Sequence, residues 1–343
     1  MHNSAIVSSQ AKCHPGTREA VLDRLVKWAL SVPYENSIIW LHGPAGTGKS
    51  AIQRTLAEKL QSMKLLLASF FFFRTDQGRN SAEHFITTIA HQLSLSIPAT
   101  KPYIENAVQR DSHIIYKSLM EQAFRLIIEP LSMVVEEGDL EAYRCPRVII
   151  VDGLDECVDS SQQLTILDAL HHIIKSVPIP FAVIVASRPE PDIRGAFSYG
   201  DLEKVSSPVT LDDFFNPDAD IKKYLVDMFQ FARHNHHLKS TLPSTMRPSS
   251  EVIDKLVRKA SGQFIYASTV ENSSVHLDTN QPSAWTSYSA FRLQKKQQTV
   301  QRAGQFIFCD IYEHREGNPE ICLAYTWGYT SQLHFSNWDG SAY

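Results

Sequence analysis

An eight-residue glycine-rich string, Gly43 to Ser50 (GPAGTGKS), constrains the fold of this 343-residue chain more than any other feature. The short apolar run from Ile38 to Leu41 precedes the string, and a helical pattern follows from Lys49 to about Met63. Glycines in a tight turn let the backbone adopt dihedral angles that a side chain forbids. The order of buried strand, glycine-rich turn and helix therefore predicts an α/β domain.

The string matches the pattern G-x-x-x-x-G-K-[ST] in full, and this pattern is typical of loops that bind phosphate groups. Successive backbone amides point at the anion, and the N-terminus of the following helix carries about half a positive charge. Lys49 would supply a full charge, and Ser50 an oxygen ligand for Mg²⁺. The predicted nucleotide-binding residues are Gly43, Pro44, Ala45, Gly46, Thr47, Gly48, Lys49, Ser50 and Ala51.

A second motif, RVIIVDGLDE, runs from Arg147 to Glu156. Its four apolar residues place Asp152 at the carboxyl end of a buried strand, where ligands bind in open α/β sheets. We predict that Asp152 and Ser50 hold Mg²⁺ together. Asp155 and Glu156 are the predicted catalytic acids, of which one would orient or deprotonate an attacking water, and the pattern does not decide which. A strand end capped by solvated acids is the alternative interpretation.

A third signal is the tripeptide from Ser187 to Pro189, which follows the apolar run from Phe181 to Ala186. Arg188 is thereby placed at the carboxyl edge of the same predicted sheet, where a guanidinium can contact a γ-phosphate. The competing interpretation is an arginine that pairs with a surface acid. Its position favours a functional role, so we count Arg188 among the predicted catalytic residues.

Further apolar runs predict the rest of the sheet. Leu65 to Phe73 and Val148 to Val151 are typical of fully buried strands, and helical patterns separate the runs, which predicts a central parallel sheet flanked by helices. An amphipathic helix is predicted to start at Thr17, with this residue as its N-cap. Beyond residue 210, the segments 218–235 and 251–269 are each predicted as a helix of a small helical region.

Composition restricts the partners of the chain. With a net charge of −4 and a pI near 6.4, the chain has no general electrostatic attraction for nucleic acid or anionic lipid, so neither partner is predicted. The five cysteines include no CxxC pair, and no apolar run approaches the roughly 20 residues of a membrane helix. We therefore expect a cytoplasmic protein with reduced thiols.

Taken in order, these motifs resemble the NACHT-type signal-transduction ATPases of the STAND class, and in particular a fungal group with a nephrocystin-like N-terminal domain. The strings PGTREAVLDRLVKWA, ASFFFFR and ASGQFIYAST add to the likeness, which covers about residues 13–270. The resemblance implies a P-loop core, a helical region after it, and ATP or ADP with Mg²⁺ as cofactors. GTP is disfavoured because the sequence has no NKxD string.

The resemblance also implies a role for each matching position. Lys49 matches the family's phosphate-binding position and Ser50 its magnesium position. Asp152 matches the metal-coordinating acid, and Asp155 and Glu156 match the additional acidic pair. Arg188 matches the sensor arginine. The segment from Cys13 to Arg18 (CHPGTR) corresponds to the entry of the domain, where contact with the nucleotide base is implied.

Four parts of the chain are predicted. These are a flexible N-terminus at 1–14, a NACHT-type P-loop domain at 15–210, an incomplete helical appendage at 211–270 and an atypical, poorly ordered tail at 271–343. Relatives often add an effector domain before this core and a repeat array after it, and we expect neither in this chain. The tail holds three of the five tryptophans but only nine Ile, Leu or Val residues. A mispredicted intron or a frame shift would explain it, and a divergent extension is the alternative.

The predicted function is that of an ATP-binding signal-transduction NTPase, a weak ATPase that acts as a slow Mg²⁺-dependent switch. The resemblance implies protein partners and leaves an ATP-dependent homo-oligomer open. The main alternative is a non-hydrolysing nucleotide-binding scaffold or a truncated decoy. Phosphoryl transfer to a small molecule is a weaker alternative, because it leaves the acids after Asp152 without a purpose.

Overall fold

The computed structural model describes residues 12–138, 146–177, 179–211, 215–235 and 248–275, together with the residue pairs 307–308 and 325–326. The chain divides into two compact units, of which the first comprises residues 1–241 and 249–269 and the second residues 242–248 and 270–343. The first unit contains the sheet, its helices and all predicted site residues.

A five-stranded parallel sheet forms the centre of the first unit. Its strands are β1 (Ile38–His42), β2 (Leu66–Phe71), β3 (Val148–Asp152), β4 (Ala182–Ser187) and β5 (Ser206–Thr210). The order across the sheet is β2-β3-β4-β1-β5, so β4 lies between the strand before the glycine-rich loop and the strand that ends in Asp152. The α/β fold with a central parallel sheet is confirmed.

Eleven α-helices lie within the described ranges. They are α1 (Glu19–Leu30), α2 (Lys49–Ser62), α3 (Phe85–Ser96), α4 (Lys101–Arg110), α5 (Leu119–Ala123), α6 (Glu129–Glu136), α7 (Ser160–Ser176), α8 (Pro191–Ser198), α9 (Pro217–Asn235), α10 (Ser250–Ala260) and α11 (Phe264–Val275). A π-helical turn, Phe124–Ile128, joins α5 to α6. None of the helices in these ranges is long and apolar enough to cross a membrane.

Each face of the sheet buries its own hydrophobic cluster. On β3, Ile149 and Val151 belong to one cluster, whereas Val148 and Ile150 belong to the other. This alternation follows from the two-residue period of a strand, and the fully apolar β3 is typical of a strand covered on both faces. The first cluster includes residues of α3 and α7, and the second includes residues of α1 and α2. The helices therefore flank the sheet on both faces, as predicted.

Two predictions about helix termini are wrong. The helix α1 begins at Glu19 and not at Thr17, because Arg18 has a left-handed backbone (φ 58°) and its amide donates a hydrogen bond to Asp220 Oδ2 at 2.9 Å. A contact from far along the chain thus sets this terminus. The predicted single helix over 251–269 is two helices, since Ser261 and Gly262 are left-handed, with φ of 46° and 74°. A glycine in this conformation commonly ends a helix.

The buried strand predicted from Leu65 to Phe73 is also shorter than expected. β2 ends at Phe71, and the Phe73 side chain is 38% exposed. Within the second unit, the structure describes a two-stranded antiparallel pairing of β6 (Ile307–Phe308) with β7 (Tyr325–Thr326). The predicted poorly ordered tail otherwise lies outside the described residues, apart from the end of α11, as do nearly all residues of the predicted flexible N-terminus.

Candidate nucleotide-binding site

The glycine-rich loop joins β1 to α2 directly, as the sequence predicts. Gly46 and Gly48 have φ angles of 79° and 90°, the left-handed region that favours glycine. Thr47 Oγ1 donates a hydrogen bond to the Pro44 carbonyl at 3.0 Å, and α2 begins at Lys49. The loop and the N-terminus of α2 therefore have the arrangement that binds anions in other proteins.

The Lys49 ammonium folds back over this loop. Its Nζ donates hydrogen bonds to the carbonyls of Gly43 at 2.6 Å and Pro44 at 2.8 Å. Burial lowers the pKa of Lys49, while the negative charges of Asp155 and Asp152 oppose that change. A partly desolvated cation of this kind interacts more strongly with a phosphate than a solvated lysine does.

Ser50 and Asp152 meet between the loop and the end of β3. Asp152 is 3% exposed, and Ser50 forms a hydrogen bond with its carboxylate. Burial raises the pKa of Asp152 to about 6, with the Ser50 hydrogen bond and the charge of Arg54 acting against it. Asp152 Oδ1 is buried and has no hydrogen-bond partner within the described structure. This orphaned oxygen beside a hydroxyl fits a hydrated Mg²⁺ ion, which prefers oxygen ligands.

Asp155 lies in a short 3₁₀ turn, Leu154–Glu156, after β3 and is also 3% exposed. Both of its carboxylate oxygens contact Arg188, which follows the end of β4. The Arg188 amide donates a hydrogen bond to Oδ1 at 2.9 Å, and the Arg188 Nε lies 3.1 Å from Oδ2. Asp155 and Arg188 are therefore brought together as an ion pair at the sheet edge.

Glu156 occupies a different environment from its neighbour Asp155. Its Oε2 accepts a hydrogen bond from the Arg74 amide at 3.1 Å, and Arg74 Nη2 donates to the Asp155 carbonyl at 3.0 Å. Burial is the main cause of the raised pKa of Glu156. The Arg74 hydrogen bond opposes this increase, and the negative charge of Asp155 adds to it. Gly153, at φ 70°, makes the turn, and a Cβ atom there would lie 3.3 Å from the Phe72 carbonyl.

The residues predicted for this site include neither Arg74 nor Arg54. Arg54 lies one helical turn after Ser50 in α2. Its guanidinium is 5.6 Å from the centroid of the Phe71 ring, and Phe71 pairs with Asp152 between the neighbouring strands β2 and β3. The four-residue spacing from Ser50 is the signal that could have identified Arg54. Arg18, the last residue of the predicted entry segment, contacts the loop, since its Nη2 donates to the Thr47 carbonyl at 2.9 Å.

The predicted entry segment lies beside α2 and α9. The Cys13 amide donates to Thr55 Oγ1 at 3.0 Å, and His14 Nε2 lies 2.8 Å from Asp227 Oδ2. Contact of this segment with a nucleotide base stays a prediction. Neither Cys13 nor Cys157 forms a disulfide with another described residue, and burial raises the pKa of each thiol.

Three solved structures are distantly similar to the chain. They are Drosophila ORC bound to DNA (14% identity, 83% of this chain and 62% of that chain, TM-score 0.43), domain III of the replication initiation protein DnaA from Thermotoga maritima (11%, 83% and 93%, 0.41) and C. elegans PCH-2 (12%, 81% and 69%, 0.39). The chain thus spans less than two thirds of the first of these chains. Comparison with curated proteins gives no match.

A family model described as "Nephrocystin 3, N-terminal" matches residues 16–188. The matched segment covers about half of the chain and runs from the entry segment through the phosphate loop and Asp152 to Arg188. The resemblance to a nephrocystin-like domain is thereby confirmed, while a fungal origin stays a prediction. By this match and by its parallel sheet, the chain belongs to the family of the nephrocystin 3 N-terminal domain, a NACHT-like P-loop domain.

Proposed function

We propose that the protein binds ATP with Mg²⁺, hydrolyses it slowly and uses the nucleotide state as a conformational switch in signalling. The observation that carries the proposal is the buried Asp152 Oδ1, which has no hydrogen-bond partner within the described structure, although Ser50 bonds the same carboxylate. Buried polar atoms are rarely left unpaired unless something else completes them. A divalent cation held on a triphosphate would do so here.

The loop residues 43–51 would bind the phosphates through their inward amides and the N-terminus of α2. Lys49 would exchange the carbonyls of Gly43 and Pro44 for phosphate oxygens, because its ammonium already lies at the loop. Ser50 and Asp152 would hold Mg²⁺, which supplies positive charge against the charge that develops during phosphoryl transfer. Positioning and electrostatics would then provide nearly all of the rate acceleration.

We assign the general base to Glu156 rather than Asp155. Asp155 uses both carboxylate oxygens on Arg188, so accepting a proton would break an existing ion pair. Glu156 has a raised pKa, which makes its carboxylate a better proton acceptor from water than an ordinary glutamate. Within this proposal Asp155 is a positioning residue that holds Arg188 at the sheet edge.

Arg188 would serve as the residue that reports the γ-phosphate. Its side chain is about one third exposed and ends at the same sheet edge as Asp152, since Asp152 pairs with Ala186 two residues before it. A triphosphate would compete with Asp155 for this guanidinium. Exchange of that partner is the step by which we expect the protein to distinguish ATP from ADP.

Phosphate release by the purified chain in ATP and Mg²⁺, measured together with the nucleotide that co-purifies, tests the proposal. We expect slow release from the unmodified chain and background release from Lys49→Ala. Failure of the unmodified chain to bind either ATP or ADP would contradict the assignment.

A non-hydrolysing nucleotide-binding scaffold or decoy is the second candidate function. The ion pair between Asp155 and Arg188 favours it, because one of the two candidate acids and the predicted sensor arginine are then bonded to each other and not to a nucleotide or a water. Bound nucleotide without phosphate release would favour this second candidate.

The wider setting of this function is also proposed from the family resemblance. We propose a cytoplasmic protein with protein partners, whose domain boundaries lie near residues 15, 210 and 270. Mass measurements with and without ATP would test the homo-oligomer that the resemblance leaves open.

A further inference from the structure

Two consecutive carbonyl groups of the glycine-rich loop accept hydrogen bonds from distant parts of the chain, one from α11 and one from Arg18. The Gly46 carbonyl accepts a hydrogen bond from the Ile265 amide at 3.3 Å. The next carbonyl, that of Thr47, accepts a buried hydrogen bond from Arg18 Nη2 at 2.9 Å. Since the first-turn amide of α11 takes part, the loop and this helix are in direct contact.

Arg18 joins three segments of the chain. Its side chain bonds the loop at Thr47, its amide bonds Asp220 of α9, and its guanidinium carbon lies 4.8 Å from the centroid of the Phe264 ring in α11. The residue is 4% exposed, and burial lowers its pKa, against the charge of Asp220. An arginine that contacts every one of these elements can transmit a displacement between them.

The conformation of Arg18 is unfavourable in isolation. Its backbone is left-handed at φ 58°, a region that non-glycine residues rarely adopt. Its Nε and Nη1 atoms are buried without a hydrogen-bond partner in the described part of the chain. Strained, desolvated residues persist only where the surrounding structure holds them, and such residues concentrate at functional sites.

Gly46 shows how closely the loop and α11 fit. It has a φ of 79°, and a Cβ atom added there would overlap the side chain of Ile265. A side chain at position 46 would therefore displace Ile265, so the absence of a Cβ atom at Gly46 is what allows the loop to approach α11 this closely.

We infer that Arg18 is a positioning residue that fixes the phosphate loop and couples nucleotide binding to the docking of α11. The residues that make these contacts are Arg18, Gly46, Thr47, Asp220, Phe264 and Ile265. The inference rests on the proposed function for its nucleotide dependence. By linkage, nucleotide that orders the loop stabilises docked α11, and docked α11 tightens nucleotide binding by the same factor.

Hydrogen exchange of the amides of 264–269 without nucleotide tests the contact itself. Arg18→Met should speed this exchange by about tenfold, because it removes the guanidinium from the Phe264 ring and a desolvated cation–π contact contributes roughly that factor. Arg24→Met, at an exposed position of α1, is the matched control and should leave exchange unchanged. Equal exchange in the two variants would overturn the inference.

ADP binding and the response of α11 to ADP test the coupling. In the unmodified chain we expect ADP to slow exchange over 264–269, and we expect Arg18→Met to abolish that response and weaken ADP binding by about tenfold. Arg18→Lys keeps a donor for the Thr47 carbonyl and should regain part of the affinity, which a role in bulk packing alone would not predict. Unchanged ADP affinity in Arg18→Met would overturn the positioning role.

Phe264→Leu gives a second variant in case Arg18→Met does not fold. It removes the ring beneath the guanidinium and keeps an apolar side chain, so it should weaken ADP binding and the α11 response in the same direction. Wild-type values for both would overturn the inference. If the unmodified chain binds neither ATP nor ADP, the proposed function itself fails. If the chain binds ADP and hydrogen exchange in α11 does not change, only the coupling inferred here fails.

Discussion

Two buried acids lie three residues apart, one at the last position of β3 and one in the turn after it, and their hydrogen-bond partners differ. Asp152 bonds Ser50 and keeps one carboxylate oxygen without a hydrogen-bond partner in the described structure. Asp155 has both oxygens in contact with Arg188. The two are equally buried, so burial alone does not identify a ligand site. An incomplete set of partners indicates where a ligand belongs, whereas a complete set indicates a positioning role.

The largest expected effect concerns Glu156, which follows Asp155 in the turn after β3. Glu156→Gln removes the proposed proton acceptor and should slow phosphate release by about 10²- to 10⁴-fold, the range that general-base catalysis supplies. ATP affinity should change little, because the loop and Asp152 are untouched. Single-turnover phosphate release measures the effect, with Glu83→Gln as an exposed control. A larger loss in Asp155→Asn than in Glu156→Gln would reverse our assignment of the base.

Lys49→Ala tests the proposed phosphate-binding role of the glycine-rich loop. It removes a desolvated ammonium from the loop and should weaken ATP and ADP binding by about 100-fold, since charge-assisted hydrogen bonds to phosphate contribute a few kcal/mol. Titration with a fluorescent ADP analogue measures the affinity. Lys27→Ala, an exposed position of α1, should bind as the unmodified chain does. Equal affinities in both variants would remove the basis for a phosphate site.

Asp152→Asn should stabilise the folded chain in Mg²⁺-free buffer at pH 8, by about 1–3 kcal/mol. The folded pKa of Asp152, about 6, lies above the ordinary value of 3.8, so burial of the ionised form lowers the free energy of unfolding. That cost is complete above about pH 6 and disappears as pH falls toward 4. Urea unfolding at pH 8 and pH 5 measures it. A destabilised Asp152→Asn would mean that the orphaned oxygen has a partner.

Asp155→Asn should change stability in the opposite direction. It breaks the ion pair with the Arg188 guanidinium and should lower the free energy of unfolding by about 1–2 kcal/mol, less than for a fully buried pair because Arg188 is partly exposed. Asp254→Asn breaks the exposed pair with Lys222 and should have an effect below about 0.5 kcal/mol. If Asp155→Asn were as stabilising as Asp152→Asn, the contrast between the two acids would fail.

Much of the site could be predicted because its signals are local. The φ angles of Gly46 and Gly48, the start of α2 at Lys49 and the position of Asp152 all depend on residues within one turn or one strand. Apolar runs such as Val148 to Val151 likewise predicted buried parallel strands, since a strand covered on both faces has no polar alternation. These features need no knowledge of distant contacts.

The errors and omissions arise where distant residues meet. Thr17 is a good N-cap by residue type, yet α1 begins at Glu19 because Asp220, more than 200 residues away, takes the Arg18 amide. The assignment between Asp155 and Glu156 could not be made from the sequence either, since Arg188 and Arg74 come from other strand ends.

The amino-acid sequence by itself determined the glycine-rich loop, the parallel sheet and the family, because glycines, apolar periodicity and acids at strand ends act over short distances. Only the tertiary structure decided which acid has an oxygen without a partner among the described residues, which acid pairs with Arg188, and that Arg18 contacts both the loop and α11. Burial and pairing depend on what surrounds a side chain in space, and those neighbours come from segments that the local pattern cannot identify.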